Sequence, residues 1–343
     1  MKPSLLLIGH GAHDDTGAAE FGRFVHRLRC RLDGVAADVS GGFAARGRPS
    51  LGDSVASLVA RGHHRMVALP LTLGDEAAIT AALARARVAH PTLTYDYGQS
   101  LAASPGALAL MGERLADALA EMPRLTAVSP ADDHEAHREP VTPAETAVVL
   151  VGHGSSDAAA NADVHRVSRL FWETHAPGLL TVETAYVSDA PPSVAQGIER
   201  CRRLGAKRVV VLPYLLFAGA VLERIWAEAL AYAAGHIDLD VRCAEVIGDC
   251  EGLADLIIER YERTLTAGEP EGDRLEVSFG ATLEGPVGAE PVEDVETLEG
   301  VLEEVESLTD ALDGVEPLEP AGQDVLRARR TPRERPAMAE GRV

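Results

Sequence analysis

The chain contains one motif twice, and that repetition constrains its fold more than any other feature. Leu5-Leu6-Leu7-Ile8-Gly9-His10-Gly11 near the start has a counterpart in Val148-Val149-Leu150-Val151-Gly152-His153-Gly154. A shift of 143 residues superimposes His10 on His153. The same shift places Phe43 on Tyr186, Pro49-Ser50 on Pro192-Ser193, Gly62 on Gly205, Arg65 on Arg208 and Pro70 on Pro213. One register that satisfies every pair is what a duplication leaves, so the chain is expected to fold as two alike units of roughly 125 residues each. The expected boundaries are 1–125 and 146–266, joined by a polar, Pro-punctuated linker over 126–145 and followed by a tail over 267–343.

Each unit opens on a Leu/Val/Ile run too continuous to be half exposed, which is the mark of a parallel strand covered on both faces. The pattern predicts strands near 4–9, 35–40, 65–71 and 92–97, with helices over 16–32, 50–61, 76–88 and 105–120. The second unit repeats the order, with strands near 147–152, 180–187, 207–216 and 239–246 and helices near 158–174, 192–204, 220–234 and 251–265. Strict alternation of this kind implies a doubly wound α/β sheet in each unit, with ligands at the carboxyl ends of the strands. Both Gly-His-Gly motifs stand at that edge. In the acidic tail, Leu298, Val301, Leu302, Val305, Leu308 and Leu312 keep helical spacing and predict one amphipathic helix, and the arginine-rich stretch at 327–336 reads as a solvated end.

Composition sets the class. An apolar content of 46 % supplies two cores, while a net charge of −21 disfavours nucleic acid or an anionic membrane as partner. The most apolar stretch, 209–222, is too short to span a bilayer and contains Pro213. Met1-Lys2-Pro3 leads into an apolar run too short for a signal peptide, so a cytoplasmic protein is expected. Cys30, Cys201, Cys243 and Cys250 have no Cys-x-x-Cys spacing, which argues against a zinc knuckle or an iron–sulfur cluster, and they read as buried thiols.

Glycines on both sides of a histidine let the backbone turn sharply at a strand end and leave the ring approachable. A neutral imidazole there can bind a divalent metal or move a proton near neutral pH. The plain alternative is a loop histidine whose hydrogen bonds are satisfied and which has no chemical role, and two histidines at equivalent positions of a duplication weigh against it. A phosphohistidine mechanism has little support, because Gly9 and Gly152 stand where such enzymes carry an arginine.

The first-half segments LLLIGHGAHD, GF…RPS and RGHHRMVALPLTLG, with VVLVGHGSSDAAANAD, TAYVSDAPPSV and LGAKRVVVLPYLLFAGAVLERI in the second half, resemble the sirohydrochlorin chelatases of the long, CbiX type. The resemblance covers about residues 4–265 and is tighter in the second half. It implies two chelatase-like domains facing a shared cleft, and a lyase that inserts a divalent metal into sirohydrochlorin without ATP. Co²⁺ in cobalamin synthesis is the first expectation and Fe²⁺ in siroheme synthesis the second. The metal is a substrate, and no prosthetic group is expected. The tetrapyrrole is the expected partner of a monomer, since the duplication supplies both halves of the cleft.

By that resemblance His10 binds the incoming metal and accepts pyrrole protons, and His153 is its partner from the second half. The sequence departs from the family after the third strand: where relatives keep a second histidine this chain has LTLGDEAAITAAL, so that Glu76 or Asp75 takes the position, and the second unit offers Val221. The expected metal set is therefore His10, His153 and Glu76, with His10 and Glu76 carrying the chemistry. Glu76 also suits the start of a helix, where the dipole favours an acid. Arg46 and Arg48, in the loop after the second strand, are expected to hold the carboxylates of the substrate. His13 is a candidate supplement, whereas His63, His64, His134 and His137 read as surface residues. The departure at Glu76 motivates a second reading, a non-catalytic metal- or tetrapyrrole-binding paralogue.

Overall fold

Ser4–Gly9 forms β1, and every residue of it is buried, as a strand covered on both faces must be. The remaining elements of the first half are α1 (Asp15–Arg31), β2 (Val39–Phe43), α2 (Leu51–Ala60), β3 (Arg65–Leu71), α3 (Ala77–Ala89), β4 (Thr94–Tyr97) and α4 (Pro105–Ala120). A short 3-10 turn at Pro143–Glu145 leads into the second half: β5 (Thr146–Gly152), α5 (Ala158–His175), β6 (Thr181–Tyr186), α6 (Val194–Arg203), β7 (Arg208–Pro213), α7 (Ala220–Ala234), β8 (Asp240–Cys243) and α8 (Glu251–Ala267). The computed structural model describes residues 2–12, 14–74, 76–120 and 141–267. His13, Asp75, His134, His137, most of the linker and the tail with its expected helix lie outside the described residues.

Both sheets are four-stranded and parallel, in the orders β2-β1-β3-β4 and β6-β5-β7-β8. In each, the first strand of the half is central, and the chain moves outward from it in both directions. The crevice beyond the carboxyl ends of β1 and β3, and of β5 and β7, is thus the topological switch point where open α/β sheets bind ligands.

The second strand departs from expectation. The pattern predicts it over 35–40, but Val35 and Ala36 donate back to the Leu32 carbonyl at the end of α1, and the strand begins at Val39. Gly41 and Gly42, beyond the end of the expected strand, are strand residues whose missing side chains make room for neighbours. A Cβ on Gly41 would come within 2.6 Å of Val25, and one on Gly42 within 2.7 Å of the Ser54 hydroxyl. The cysteine expectation also needs correction. Cys201 is buried, but Cys243 and Cys250 are only half-buried and Cys30 lies exposed on α1, a helix with a solvent face.

The two repeats lie within one compact unit because they share a core. Along β1 the side chains alternate: Leu6 and Ile8 join an outer core under α2 and α3, while Leu5 and Leu7 join a central core that also receives Val148, Leu150, Val210 and Leu212 of the second sheet. The central core is closed by an exchange of helices. The last helix of the first half, α4, packs on β7 and β8, and the last helix of the second half, α8, packs on β3 and β4. Arg242 of the second half donates to the Ala118 and Leu119 carbonyls at the end of α4, and the buried Tyr261 hydroxyl of α8 donates to the Pro3 carbonyl at 2.7 Å. Without α8 the first sheet would expose one face, losing Leu253, Ile257 and Tyr261 from its cover. Burying a large apolar side chain contributes about 1.5–3 kcal/mol, so three such losses are comparable with the whole stability of an ordinary domain.

Candidate functional site

His10 is the first residue beyond β1, and backbone hydrogen bonds fix the turn that holds it. Ala44 N–H donates to the Gly9 carbonyl at 2.9 Å, Ala45 N–H to the His10 carbonyl at 2.9 Å, and Ala12 N–H to the Arg46 carbonyl at 2.7 Å. These bonds join the loop after β1 to the loop after β2. Gly9 is required by the fit, since a Cβ there would stand 2.9 Å from the Phe43 ring, and Gly11 backs onto the Arg46 carbonyl at 3.0 Å. The joined loops bring the backbone of Arg46 against the loop that carries His10. His10, Arg46 and Arg48 are all exposed, and their side chains have no hydrogen-bond or ion-pair partner among the described residues.

His153 occupies the equivalent place after β5, with a different environment. Its Nδ1 lies 3.1 Å from the Gly154 carbonyl and 3.5 Å from the Ser188 hydroxyl, which itself donates to the His153 carbonyl at 2.9 Å. Gly154 adopts φ +91°, and a Cβ there would overlap the Ser188 carbonyl at 1.7 Å. The loop after β6, residues 187–193, has no arginine, so it lacks a counterpart of Arg46 and Arg48.

Glu76 lies five residues beyond the end of β3, the strand hydrogen-bonded beside β1, and so on the same edge as His10. It is the N-cap of α3, yet its side chain makes no capping bond. The carboxylate instead accepts the Tyr97 hydroxyl at 2.6 Å, at the end of β4. Burial, reinforced by the hydrogen bond and charge of Glu76, pushes the Tyr97 hydroxyl up, so it stays protonated and donates. Sequence reasoning missed Tyr97. Its only signal was its place at a strand end just before Gly98.

In the second half the place of Glu76 falls on Gly219, the N-cap of α7 with φ +151°, and not on the expected Val221, which lies in the first turn of that helix. The position is constrained, because a Cβ would meet the Asp14 carboxylate at 2.8 Å. The expected three-residue metal set is not assembled: among the described residues no three His, Cys, Asp or Glu side chains converge as a metal site. His10 and Glu76 lie beyond β1 and β3 of one sheet, and His153 lies beyond β5 of the other. His63 and His64 precede β3 and lie at the opposite edge, where His63 faces Asp38 and His64 pairs with Thr92.

What this edge offers is an approachable imidazole, an oriented carboxylate and two uncompensated guanidinium groups. That combination suits an anionic ligand from which protons are removed while a cation is delivered.

The CbiX family profile matches this chain twice, over residues 4–118 and 147–264. A sirohydrochlorin cobaltochelatase of Priestia megaterium is 30 % identical over 267 residues, covering 76 % of this chain and 80 % of that protein. A sirohydrochlorin ferrochelatase of the same organism is 27 % identical over 275 residues, covering 77 % and 91 %. Among solved structures, SirB from Bacillus subtilis with Fe3+ aligns with a TM-score of 0.60 at 19 % identity, over 78 % of this chain and 98 % of that one. The cobalt complex of SirB from Bacillus subtilis subspecies spizizenii aligns with a TM-score of 0.58 at 20 % identity, over 78 % and 97 %. At such identities the structural likeness speaks for the fold.

Proposed function

The chain belongs to the CbiX family, and from that premise we propose how it works as a sirohydrochlorin metal chelatase, a lyase that inserts a divalent cation into the tetrapyrrole. The observation that carries the site assignment is His10 at the topological switch point, approachable and without a side-chain partner among the described residues, beside the arginines of the joined loops.

In this reading Arg46 and Arg48 hold carboxylates of the substrate by charge-assisted hydrogen bonds and set the macrocycle over the edge of the first sheet. His10 receives the cation and passes it to the ring. Metallation replaces two pyrrole N–H protons by one M²⁺, so two protons must leave. His10 takes one when the metal has moved on, and the Glu76 carboxylate takes the other. The metal is a substrate throughout, and no prosthetic group is used. Formation of the metal–nitrogen bonds of the ring drives the exchange, without ATP. His153 supplies a second imidazole on the other sheet.

Co²⁺ is the preferred cation, with Fe²⁺ second. Imidazole sites hold Co²⁺ more tightly than Fe²⁺, and the relative at 30 % identity is the cobaltochelatase. Cobalamin synthesis is then the pathway served. The helix exchange within one chain supports a monomer. No described helix is long and apolar enough to cross a membrane.

Anaerobic incubation of the purified protein with sirohydrochlorin and either Co²⁺ or Fe²⁺, followed by the change in tetrapyrrole absorbance, tests this. Catalysed metallation, faster with Co²⁺, is expected. Stoichiometric tetrapyrrole binding without turnover would identify a binding paralogue instead.

A further inference from the structure

An N-cap residue ordinarily turns its side chain back onto the first amides of its own helix. Glu76 does not, and its carboxylate is committed to a residue of the neighbouring strand. At 2.6 Å the Tyr97 hydroxyl donates to Oε2 in the range of a charge-assisted O–H···O⁻ bond. Oε1 has no hydrogen-bond partner among the described residues.

The tyrosine stands on a segment that has little freedom. A Cβ on the next residue, Gly98, would come within 2.1 Å of Leu69 and 2.9 Å of the Thr264 hydroxyl of α8, so the strand end is pressed against both. The buried guanidinium of Arg260, only 9 % exposed, donates to the Gln99 carbonyl at 2.5 Å and to that of Ser100. The exchanged helix α8 thus fixes the backbone just beyond Tyr97. The second half has no such pair. Tyr97 is in register with Ala68 and Cys243 with Val211, equivalent positions, so Gly219 and Cys243 stand where the first half has Glu76 and Tyr97.

We propose that Tyr97 is a positioning residue of the first-half site, holding one oxygen of Glu76 so that the other meets the incoming cation or a pyrrole N–H. This rests on the reading that Glu76 takes part in metallation. Tyr97 touches neither substrate and acts through the carboxylate.

The test is a double-mutant cycle in the full chain, with anaerobic cobalt metallation of sirohydrochlorin as the assay. Tyr97→Phe is expected to lower kcat by about tenfold to a hundredfold, the range of a misplaced catalytic group, with KM for the tetrapyrrole within about twofold of the parent and melting unchanged. Glu76→Gln is expected to be slow, and the double variant no slower than Glu76→Gln alone. Normal turnover of Tyr97→Phe beside a slow Glu76→Gln would overturn the positioning role and leave the reading of Glu76 standing. Independent, multiplying losses in the double variant would also overturn it, since Tyr97 would then act apart from Glu76. Normal turnover of Glu76→Gln would remove the premise itself.

Discussion

The carboxylate of Asp14 accepts a hydrogen bond from the backbone N–H of Ala220, so a side chain of the first half caps a helix of the second. Its other oxygen accepts the Gly17 N–H at 2.8 Å, which caps its own helix α1. Both amides are orphan donors at helix starts, and one anion placed between two positive helix ends satisfies them together. Glu20, one and a half turns along α1, repeats the arrangement by accepting from Ala218 at 2.6 Å and Asp249 at 3.4 Å. The loop that carries His10 runs into Asp14, so the contact between halves also fixes the end of that loop.

Asp14→Ala therefore loses caps on two helices. Cap removal costs about 0.5–2 kcal/mol at one helix, and the pair should reach about 2 kcal/mol or more, read as a lower urea midpoint. Asp14→Asn, whose amide oxygen still caps, should lose less. Gly219→Ala should also destabilise, because its Cβ would sit 2.8 Å from the same carboxylate at φ +151°.

The exchange of α4 and α8 predicts that neither repeat folds by itself. A fragment of residues 1–125 keeps α4 but not α8, which covers β3 and β4. It should bind hydrophobic dye, show weak cooperativity on heating and aggregate. Co-expression with residues 141–267 should recover a soluble one-to-one complex. A monomeric, cooperatively melting 1–125 fragment would show that α4 can turn back onto its own sheet.

Cys201 and Cys30 should differ in reactivity. Burial pushes the Cys201 thiol up to about 12, so almost no thiolate forms near neutral pH, and the side chain is inaccessible as well. Cys30 is exposed on α1. Alkylation of the native protein with iodoacetamide, mapped by mass spectrometry, should modify Cys30 and leave Cys201 untouched until the protein is unfolded.

Glu145 carries an acid-side signature. Its hydrogen bond with Lys207, at 2.5 Å, and those from the backbone and hydroxyl of Thr142 hold the carboxyl down at about 2. A carboxylate whose pKa is lower in the folded state stabilises it above the unfolded pKa, and the contribution fades as pH falls through the folded one. The stability difference between the parent and Glu145→Gln should thus be full above about pH 4.5 and vanish towards pH 2. Denaturant midpoints across that window measure it.

Much of this architecture was legible because it is local. The Leu/Val/Ile runs, the alternation of strand with helix and the shift of 143 residues mark both sheets and the carboxyl edge where His10 and Glu76 stand. What escaped depends on distant partners. Helical periodicity shows which face of α8 is apolar, but not that the face meets β3 rather than β7. Gly41 and Gly42 fall outside the expected strand, and only Val25 and Ser54, which fill the space above them, explain glycines within it. Tyr97 has no flanking motif, and its role depends on a carboxylate 21 residues earlier in the chain.

The last prediction concerns the division of labour between the two histidines. The duplication makes them equivalent in position, but not in surroundings. His10 has an unpartnered ring among the described residues, the exposed Arg46 and Arg48 on the adjoining loop, and Glu76 on the same edge. His153 has its Nδ1 beside the Gly154 carbonyl and Ser188, a loop without arginine, and Gly219 where the acid would stand. His10→Ala should therefore lower kcat by about 10²–10⁴-fold, the usual worth of a positioned proton-transfer group, with the circular dichroism spectrum unchanged. His153→Ala should cost less than about tenfold, because the proposed ligand, base and substrate-holding cations all lie in the first half. Arg46→Ala with Arg48→Ala should raise KM for sirohydrochlorin and leave kcat nearly unchanged, the pattern of binding energy felt equally before and at the transition state. If His153→Ala proves the more damaging of the two histidine variants, the reaction belongs to the second sheet. Its missing acid would then have to come from the substrate's own carboxylates.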